Sequence, residues 1–357
     1  MRTRRLDPRE LAAARPEDLA GAVLLAAVRL ASGPLPKGAR LDGVSARAVI
    51  AAAADAALTI PVRVAWPDPD ELLEDEAAER LARAAGGAGV ELRPARQGRI
   101  DLAATWDGVL HVRAEPLRRV NAIDPLEVFT LYHGQAVERG QVVAAVKVAP
   151  HLLPAGPVTA GVQLARREGP LIEVRPYRPM AVAAIAAEAI SPDALARFEG
   201  GARAKIRALG AAFEGTSVVG DADPEAARAG LAQALAKLVR ERRFPVLLVG
   251  GVSAGDPIAP FFAALEELGG VVVRRGVPAH PGSMIWLARL DRTQLLGLPQ
   301  CGMFSMATAA DLVLPRLLTG ETLGAESLAE LGHGGLLTRE MRFRFPRYAQ
   351  NLEAPEG

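Results

Sequence analysis

The chain has 357 residues, of which 50% are hydrophobic and 23% are charged, and its formal net charge is +1 at pH 7. This length is sufficient for two or three domains with cores of their own. The near-neutral charge excludes the large basic field that nucleic-acid binding requires. Cys301 is the only cysteine, so the sequence has no disulfide framework and we expect a reducing compartment.

The apolar run 19–28 is too short to cross a bilayer and does not directly follow the basic N-terminus as a signal sequence would. We therefore predict a cytoplasmic protein with no membrane partner. Among the 42 basic residues, arginine greatly exceeds lysine, and we attribute this excess to genome composition. The lysines are Lys37, Lys147, Lys205 and Lys237.

Residues 1–98 are predicted to form a mixed α/β region. Segment 41–58 has a helical pattern with Asp42 or Ser45 as its cap, and the run 60–66 is typical of a strand. An acidic segment then leads into an amphipathic helix that ends at Gly86 and Gly87. Its acids lie near the start and its arginines near the end, as the helix dipole favours.

Residues 99–175 are predicted to form a small β-rich region. Two strand-like runs, 100–106 and 109–115, are joined at Asp107-Gly108, and Asp-Gly between two such runs is the strongest short signal for a β-hairpin. Further short strands are expected within 128–137 and 141–153.

From 176 to 320 strand and helix patterns alternate, which predicts a doubly wound, three-layer α/β domain with a mostly parallel sheet. Helices are expected within 192–209, 224–240 and 305–319. A ligand of such a domain binds beyond the carboxyl ends of its strands. Residues 321–357 form a tail to which no fold is assigned.

The stretch 244–256, FPVLLVGGVSAGD, is the one on which the functional analysis depends. An apolar strand is followed by a glycine-rich turn and then by a helical pattern that begins near Pro257. The backbone N–H groups of such a turn and the positive end of a helix dipole form a site for an anion such as phosphate. An ordinary strand-to-helix turn has the same residue pattern, and Asp256 can be either a cap or a chemical group.

Two downstream motifs, taken with this turn, resemble a known family. GGVSAGD, then HPGSM at 280–284, then LLGLPQCGM at 295–303 are similar to the molybdopterin-binding domain of the molybdenum cofactor biosynthesis proteins. That domain is shared by molybdopterin adenylyltransferases, molybdopterin molybdotransferases and the competence/damage-inducible family. Segments between 35 and 154 are similar to a module that many bacteria fuse to a molybdenum cofactor cytidylyltransferase-like domain. The glycine-rich signature of that nucleotidyltransferase does not occur in the printed sequence.

The resemblance implies a ligand and a set of residues that bind it. The ligand would be molybdopterin or the molybdenum cofactor, and an enzyme of this kind would also use Mg²⁺ and ATP. Asp256 and Glu188 would be the catalytic and metal-binding residues. The residues that would bind the pterin and its phosphate are Gly250, Gly251, Val252, Ser253, Ala254, Gly255, Pro281, Gly282, Ser283, Pro299, Gln300, Cys301 and Gly302.

The sequence also departs from the family motifs. Gln300 stands where the family has a glycine, Ser283 replaces the lysine of the molybdotransferases, and of the acidic signature after the first strand only Glu188 persists. A site that lacks a lysine and an aspartate is less able to neutralise phosphate charge or to hold a metal. Two functions are therefore left open: a transferase that adenylylates molybdopterin or inserts molybdate, and a non-catalytic carrier or storage protein.

Other interpretations have less support in the sequence. Gly251, Ser253 and Gly255 match the G-x-S-x-G letters of an α/β-hydrolase, but the sequence around them is not that of a nucleophile elbow. The five histidines lack zinc-site spacing. A purely structural module is a third possibility. The expected partners are a nucleotidyltransferase or a molybdoenzyme, and the apolar helix at 261–268 could serve a homo-oligomer interface.

Overall fold

The computed structural model describes residues 1–298 and 307–350. Its helices, in chain order, are α1 (Pro8–Ala12), α2 (Pro16–Leu19), α3 (Gly43–Ala54), α4 (Glu74–Ala85), α5 (Ala114–Asn121), α6 (Ala155–Glu168), α7 (Pro192–Ala208), α8 (Pro224–Ala236), α9 (Pro260–Glu267), α10 (Ala310–Leu318), α11 (Ala325–Ala329) and α12 (Arg347–Gln350). A π-helical turn, Lys237–Glu241, extends α8, and short 3₁₀ helices occupy Glu330–Gly332 and Arg339–Arg344.

The strands in the same ranges are short, mostly of two to seven residues. They are β1 (Arg2–Leu6), β2 (Val23–Leu24), β3 (Val28–Leu30), β4 (Gly33–Leu35), β5 (Val62–Trp66), β6 (Glu71–Leu73), β7 (Val90–Leu92), β8 (Arg99–Ala104), β9 (Gly108–Val112), β10 (Leu126–Thr130), β11 (Ala136–Val137), β12 (Val142–Val148), β13 (Leu152–Pro154), β14 (Ile172–Pro176), β15 (Ala181–Ala186), β16 (Ala212–Val218), β17 (Val246–Gly250), β18 (Val271–Arg275), β19 (Trp286–Leu290) and β20 (Thr293–Leu298).

The chain divides into two compact units. Unit 1 comprises residues 1–105, 111–133 and 139–174, and unit 2 comprises residues 106–110, 134–138 and 175–357. The four-segment division expected from the sequence stays a prediction. Among the described residues, no helix is both long enough and apolar enough to cross a bilayer.

Unit 1 contains two sheets of three or more strands, each packed on helices. In the first, β5 lies between β1 and β2, and its buried residues share a core with helices α1 to α3. In the second, the strand order is β10-β12-β8-β7, and α4 packs on β8, β12 and α6. Asp42 caps α3 by accepting hydrogen bonds from the backbone N–H groups of Val44 and Ser45, as its sequence pattern predicts.

The hairpin predicted at Asp107-Gly108 is wrong. Strand β8 is hydrogen-bonded on one side to β12 and on the other to β7, so neither of its edges is open to β9. Strand β9 instead pairs antiparallel with β11, where Ala136 opposes Val109. Gly108 has a different role, because a Cβ atom there would lie 2.0 Å from the carbonyl oxygen of Arg175. The glycine permits a close approach of two backbones rather than a tight turn.

Unit 2 is built on a six-stranded sheet of order β16-β15-β17-β20-β19-β18. Strands β16, β15, β17 and β20 are parallel, and β19 runs antiparallel to both of its neighbours. The mostly parallel sheet is therefore confirmed. The chain passes from β15 to β16 on one side and then to β17 on the other side of β15. The strand order thus reverses between β15 and β17, which is the position where open α/β sheets bind their ligands.

Alternate side chains of these strands enter two different apolar clusters. Val182, Leu248 and Leu296 pack with residues of α7 and α10. Ile185 and Leu247 pack with residues of α8 and α9 in the second cluster. This alternation follows from the two-residue period of a strand, whose successive side chains point to opposite sides. Because both sets are apolar, the strands read as continuous hydrophobic runs, as parallel strands do.

Gly297 gives a test of the packing in the second cluster. A Cβ atom at this position would lie 2.0 Å from the Trp286 ring, and Trp286 is fully buried. We expect Gly297→Ala to lower the free energy of unfolding by about 3 kcal/mol, because the strand and the indole cannot both keep their positions. Urea unfolding followed by circular dichroism measures the change.

Gly200→Ala is the matched control for that variant. Gly200 lies in α7 and a Cβ atom there would meet nothing within 4 Å. We expect this variant to gain about 0.5–1 kcal/mol from the higher helix propensity of alanine. Equal unfolding curves for Gly297→Ala and the wild type would show that Trp286 does not pack on β20 as described.

Candidate functional site

The carboxyl ends of β15, β17 and β20 meet at the position where the strand order reverses. The backbone N–H of Ala187 donates to the carbonyl oxygen of Gly250 at 3.0 Å, and Gly250 pairs with Leu298 on its other side. The residues that follow these three strands carry three of the sequence motifs. Glu188 follows β15, the glycine-rich turn follows β17, and the third motif continues from Leu298. These motifs therefore begin side by side at one edge of the sheet.

Glu188 lies in the loop after β15, two residues beyond the last strand residue, and is partly buried. Its side chain packs against Gly251, where a Cβ atom would lie 2.6 Å from Glu188 Cγ and 3.0 Å from Glu188 Oε1. Gly251 also has φ +84°, a conformation that favours glycine. Glycine at 251 is thus required twice, by its backbone conformation and by the carboxylate side chain that covers it.

The turn from Val252 to Ile258 is held by hydrogen bonds within it. Ser253 Oγ accepts from the N–H of Gly255 at 3.2 Å, and Asp256 Oδ1 accepts from the N–H of Ile258 at 3.1 Å. Asp256 is exposed, and its carboxylate is bound to the turn rather than to a helix. In the described ranges, the amides of Val252 and Ser253 donate no hydrogen bond, so they are the donors that the turn offers to an anion.

The helix predicted from Pro257 begins three residues later, at Pro260, with Ala259 as its N-cap. Pro260 has no N–H group, and the N–H of Phe262 donates to the carbonyl oxygen of Ala259 at 2.9 Å. Asp256 is therefore not the cap of this helix. The expectation that the helix N-terminus and the turn point at one anion stays a prediction, and the helix begins three residues further from the turn than expected.

The second loop, 281–284, lies against both the turn and α10. The N–H of Ala254 donates to the carbonyl oxygen of Met284 at 3.4 Å, and a Cβ atom on Gly255 would lie 2.9 Å from Met284 Cε. On its other side, the carbonyl oxygen of Pro281 accepts from the N–H of Ala309 at 2.9 Å. Gly282 has φ +106°, and a Cβ atom there would lie 2.6 Å from the nitrogen of Ala309. Pro281, Gly282 and Met284 are thus brought to the site.

Pro299, Gln300, Cys301 and Gly302, which the sequence assigns to the third loop, lie outside the described residues. Their neighbours Leu298 and Ala307 are both buried in the apolar cluster shared by α7 and α10. The roles predicted for these four residues stay predictions.

Trp286 supports the site and was not singled out by the sequence analysis. Its indole Nε1–H is buried and donates to the carbonyl oxygen of Val252 at 2.9 Å. The ring packs against both Phe261 and Phe262, with centroid distances of 5.1 and 5.2 Å. A signal was available in the sequence, because a buried tryptophan requires an acceptor for its N–H and this one follows a pocket loop by only two residues.

The family resemblance predicts a metal role for Asp256, which lies in the glycine-rich turn, and for Glu188, whose side chain packs against Gly251. Within residues 1–298 and 307–350, no three or more His, Cys, Asp or Glu side chains are grouped so that they could hold a metal ion. Mg²⁺ is commonly bound by one or two carboxylates together with substrate phosphates. A shared Mg²⁺ at these two residues stays a prediction.

Similarity of this chain to known proteins is limited to solved structures. No protein-family model and no curated protein matches the chain. Among solved structures, the chain is similar to a molybdopterin biosynthesis MoeA protein from Pyrococcus horikosii, with 16% identity and a TM-score of 0.27 over 70% of this chain and 79% of that one.

Two further solved structures are similar to a smaller part of the chain. One is the molybdopterin biosynthesis enzyme MoaB from Thermus thermophilus, with 18% identity and a TM-score of 0.26 over 40% of this chain and 98% of that one. The other is described as molybdenum cofactor biosynthesis protein B, with 13% identity and a TM-score of 0.27 over 44% and 93%. Any assignment of function therefore depends on the residues and geometry of this chain.

The contact between Glu188 and Gly251 is tested by a double-mutant cycle. We expect Gly251→Ala to destabilise the protein by about 2–3 kcal/mol, from the left-handed conformation and from the overlap with Glu188. Glu188→Gly removes the side chain that the new methyl group meets. The double variant should therefore lose less stability than the sum of the two single variants, by about 1 kcal/mol.

The cycle is measured by urea unfolding of the four proteins. Gly210→Ala provides a reference for the backbone conformation alone, since Gly210 has φ +73° and the nearest atom to a Cβ there is 3.8 Å away. Strict additivity of the two single variants would mean that Glu188 does not cover Gly251.

Proposed function

We propose that this chain binds molybdopterin, or the molybdenum cofactor derived from it, at the carboxyl edge of the unit 2 sheet. The observation that supports this most directly is the convergence of the family-like motifs: Glu188 against Gly251, and Ala254 hydrogen-bonded to Met284. Because these loops lie next to one another, although Glu188 and Met284 are about a hundred residues apart in sequence, we propose that they form a single ligand site. We also propose the three-layer, doubly wound arrangement of the sheet and its helices as the scaffold of this site.

In this proposal the phosphate of the pterin is bound by the free amides of Val252 and Ser253. Backbone N–H groups in a glycine-rich turn bind phosphate without a side-chain charge. The two glycines at 251 and 255 allow the ligand to approach the backbone closely. The pterin ring would extend from this turn towards Pro281–Ser283 and the predicted third loop, Pro299–Gly302.

The carboxylate of Glu188 fits two kinds of contact with such a ligand. A carboxylate beside a phosphate is repelled unless a cation lies between them, so Mg²⁺ is one possibility. The other is that Glu188 accepts hydrogen bonds from ring N–H groups of the pterin. Asp256, which is exposed on the same turn, would be the second group of a metal site or would bind the ligand from the solvent side.

The balance of charges favours the carrier function over transferase chemistry. Ser283 stands where the molybdotransferases have a lysine, and the pairing of Asp256 with the N–H of Ile258 uses one of its oxygens for the turn. A transferase must neutralise charge that develops on phosphate in the transition state. The second candidate, adenylyl transfer or molybdate insertion with Mg²⁺ and ATP, is favoured by the presence of both Glu188 and Asp256 at one turn.

Binding and turnover can be measured separately. Wild-type protein is incubated anaerobically with molybdopterin released from a purified molybdoenzyme, and retention is measured after gel filtration by the fluorescence of the oxidised pterin. Molybdate and Mg-ATP are then added, and adenylylated or metallated product is sought. Binding without product supports the carrier function, product supports the transferase, and failure to retain any pterin would overturn the proposal.

Glu188→Gln and Asp256→Asn test the acidic residues. In a carrier that uses Glu188 as an acceptor, we expect Glu188→Gln to weaken pterin binding about tenfold and Asp256→Asn to have a smaller effect. In a transferase, either variant should lower turnover at least a hundredfold with less effect on binding. Asp291→Asn is the control, because Asp291 lies in the turn before β20, at the opposite edge of the sheet, and its φ of +53° suits asparagine.

Replacement of Met284 is expected to leave pterin binding unchanged or to strengthen it, unlike replacement of the acidic residues. Its Cε atom covers Gly255, and the side chain is 43% exposed. A ligand at Gly255 displaces this flexible thioether, so we expect Met284→Ala to bind pterin as tightly as the wild type or up to about threefold more tightly. Titration of pterin fluorescence measures the dissociation constant, and a loss of more than tenfold would mean that Met284 is itself a ligand contact.

We further propose that the protein is a cytoplasmic homo-oligomer that delivers the cofactor to a nucleotidyltransferase or a molybdoenzyme. The oligomer and the recipient enzymes come from the family resemblance, and the cytoplasmic location comes from the lone cysteine of the sequence.

A further inference from the structure

A buried ion pair lies in the apolar cluster beneath the proposed site. Lys205 Nζ lies 2.8 Å from Asp311 Oδ1, and the Asp311 side chain is 1% exposed. Lys205 is one of four lysines in a chain in which arginine supplies nearly all the basic residues. The pair lines a cavity of about 30 Å³ together with Gly201, Leu248 and Leu298. A compact ammonium fits this space, whereas a guanidinium is larger and planar.

Stability alone does not account for this pair. Removing two charges from water costs about as much as their attraction returns, and replacing a buried pair with apolar residues is often neutral or stabilising. Asp311 nevertheless makes two further hydrogen bonds. Its Oδ1 accepts from the Tyr348 hydroxyl at 3.1 Å, and its Oδ2 accepts from the N–H of Thr308 at 2.9 Å. Loss of water around the hydroxyl, together with the Asp311 charge, raises the pKa of Tyr348 well above its ordinary value, so the hydroxyl stays a donor.

These hydrogen bonds fix the start of α10. Thr308 is bound by Asp311, and Thr308 Oγ1 in turn accepts from the N–H of Ala310 at 3.3 Å. The next residue, Ala309, donates its N–H to Pro281, and Gly282 approaches Ala309 so closely that a methyl group would not fit. The position of the Pro281–Gly282 loop therefore depends on the position of Thr308 and Ala309.

We propose that Lys205 and Asp311 are positioning residues for the ligand site. Lys205 fixes the Asp311 carboxylate, which in turn fixes Thr308. Thr308 and Ala309 then position the Pro281–Gly282 loop against the glycine-rich turn. The effect on ligand affinity rests on the proposed function. The effect on the loop does not.

The test uses Lys205→Met/Asp311→Leu/Tyr348→Phe, which removes both charges together with the buried hydroxyl that would otherwise lose its acceptor, and keeps similar volumes. We expect a urea midpoint close to that of the wild type, at least tenfold faster hydrogen exchange at the Ala309 amide, and at least tenfold weaker binding of molybdopterin released from a molybdoenzyme. Exchange at the Leu248 amide, in the middle of β17, should not change. A residue that served only stability would change all amides together with the midpoint.

A second variant keeps the test decisive if the first does not fold. Lys205→Met/Asp311→Asn removes the charges but retains an oxygen that can accept from Thr308, so Ala309 exchange should lie between those of the wild type and the leucine variant. Arg240→Met/Asp291→Asn is the control, since it removes an exposed ion pair, with an N···O distance of 3.2 Å, between the π-helical turn after α8 and the turn before β20. It should change neither exchange at Ala309 nor affinity.

Unchanged Ala309 exchange in both Lys205/Asp311 variants would overturn the inference. Faster exchange with unchanged affinity would also overturn it as a statement about the ligand site. If the wild type binds no molybdopterin, the proposed function fails, and the exchange measurement still decides whether the pair positions the loop.

Discussion

Gly250 ends the middle one of three adjacent parallel strands: its carbonyl oxygen accepts from the N–H of Ala187, which follows β15, and in the register with β20 it lies opposite Leu298. This register places the ends of β15 and β20 on either side of the end of β17. Because the strand order reverses between β15 and β17, helices cannot cover the space above these ends, and the loops that follow must line it. The site therefore follows from the topology, and the glycines determine how closely its parts can pack.

Each glycine of the site has a specific partner. Gly251 is covered by Glu188, Gly255 by Met284, and Gly282 by Ala309. Trp286 binds the carbonyl oxygen of Val252 from below and is itself accommodated by Gly297. The turn is thus held by Glu188 from the loop after β15 and by Met284 and Trp286 from the segment in which β19 begins. A site assembled in this way is rigid on its protein side, and Met284 is the side chain whose flexibility suits movement when a ligand enters.

The sequence predicted the strands and helices of unit 2 well, because buried parallel strands such as β17 and β20 are continuous apolar runs and the helices between them have clear caps. Ser191 and Asp223, for example, each accept a hydrogen bond from the backbone in the first turn of α7 and α8. It failed where tertiary pairing overrides a local signal. Asp107-Gly108 has the letters of a hairpin, yet β8 already has a partner on each side. The start of α9 was misplaced because Pro257 and Pro260 are equally good first residues of a helix, and the Asx turn of Asp256 decides between them.

The site was predictable as a set of segments but not as a set of contacts. Motif order placed Glu188, Gly251 and Pro281–Gly282 in one region, because loops at the carboxyl edge of a parallel sheet must lie near each other. The packing of Glu188 on Gly251 depends on the register of β15 against β17, which a sequence does not reveal. Lys205 and Asp311, 106 residues apart in the chain, meet only because α7 and α10 pack in the same apolar cluster.

The position of the charges bears on what the site can do. The fully buried carboxylate in this region, Asp311, is already neutralised by Lys205 and committed to Thr308, so it cannot serve a ligand. The carboxylates that remain at the turn are Glu188, which is partly buried against Gly251, and Asp256, which is exposed to solvent. An exposed carboxylate in high dielectric binds a cation weakly unless a second ligand group or a substrate phosphate completes the coordination. Any metal chemistry here would therefore depend on a bound phosphate, whereas the proposed binding of phosphate by the Val252 and Ser253 amides would require no metal. This asymmetry is the physical reason for placing ligand binding ahead of catalysis.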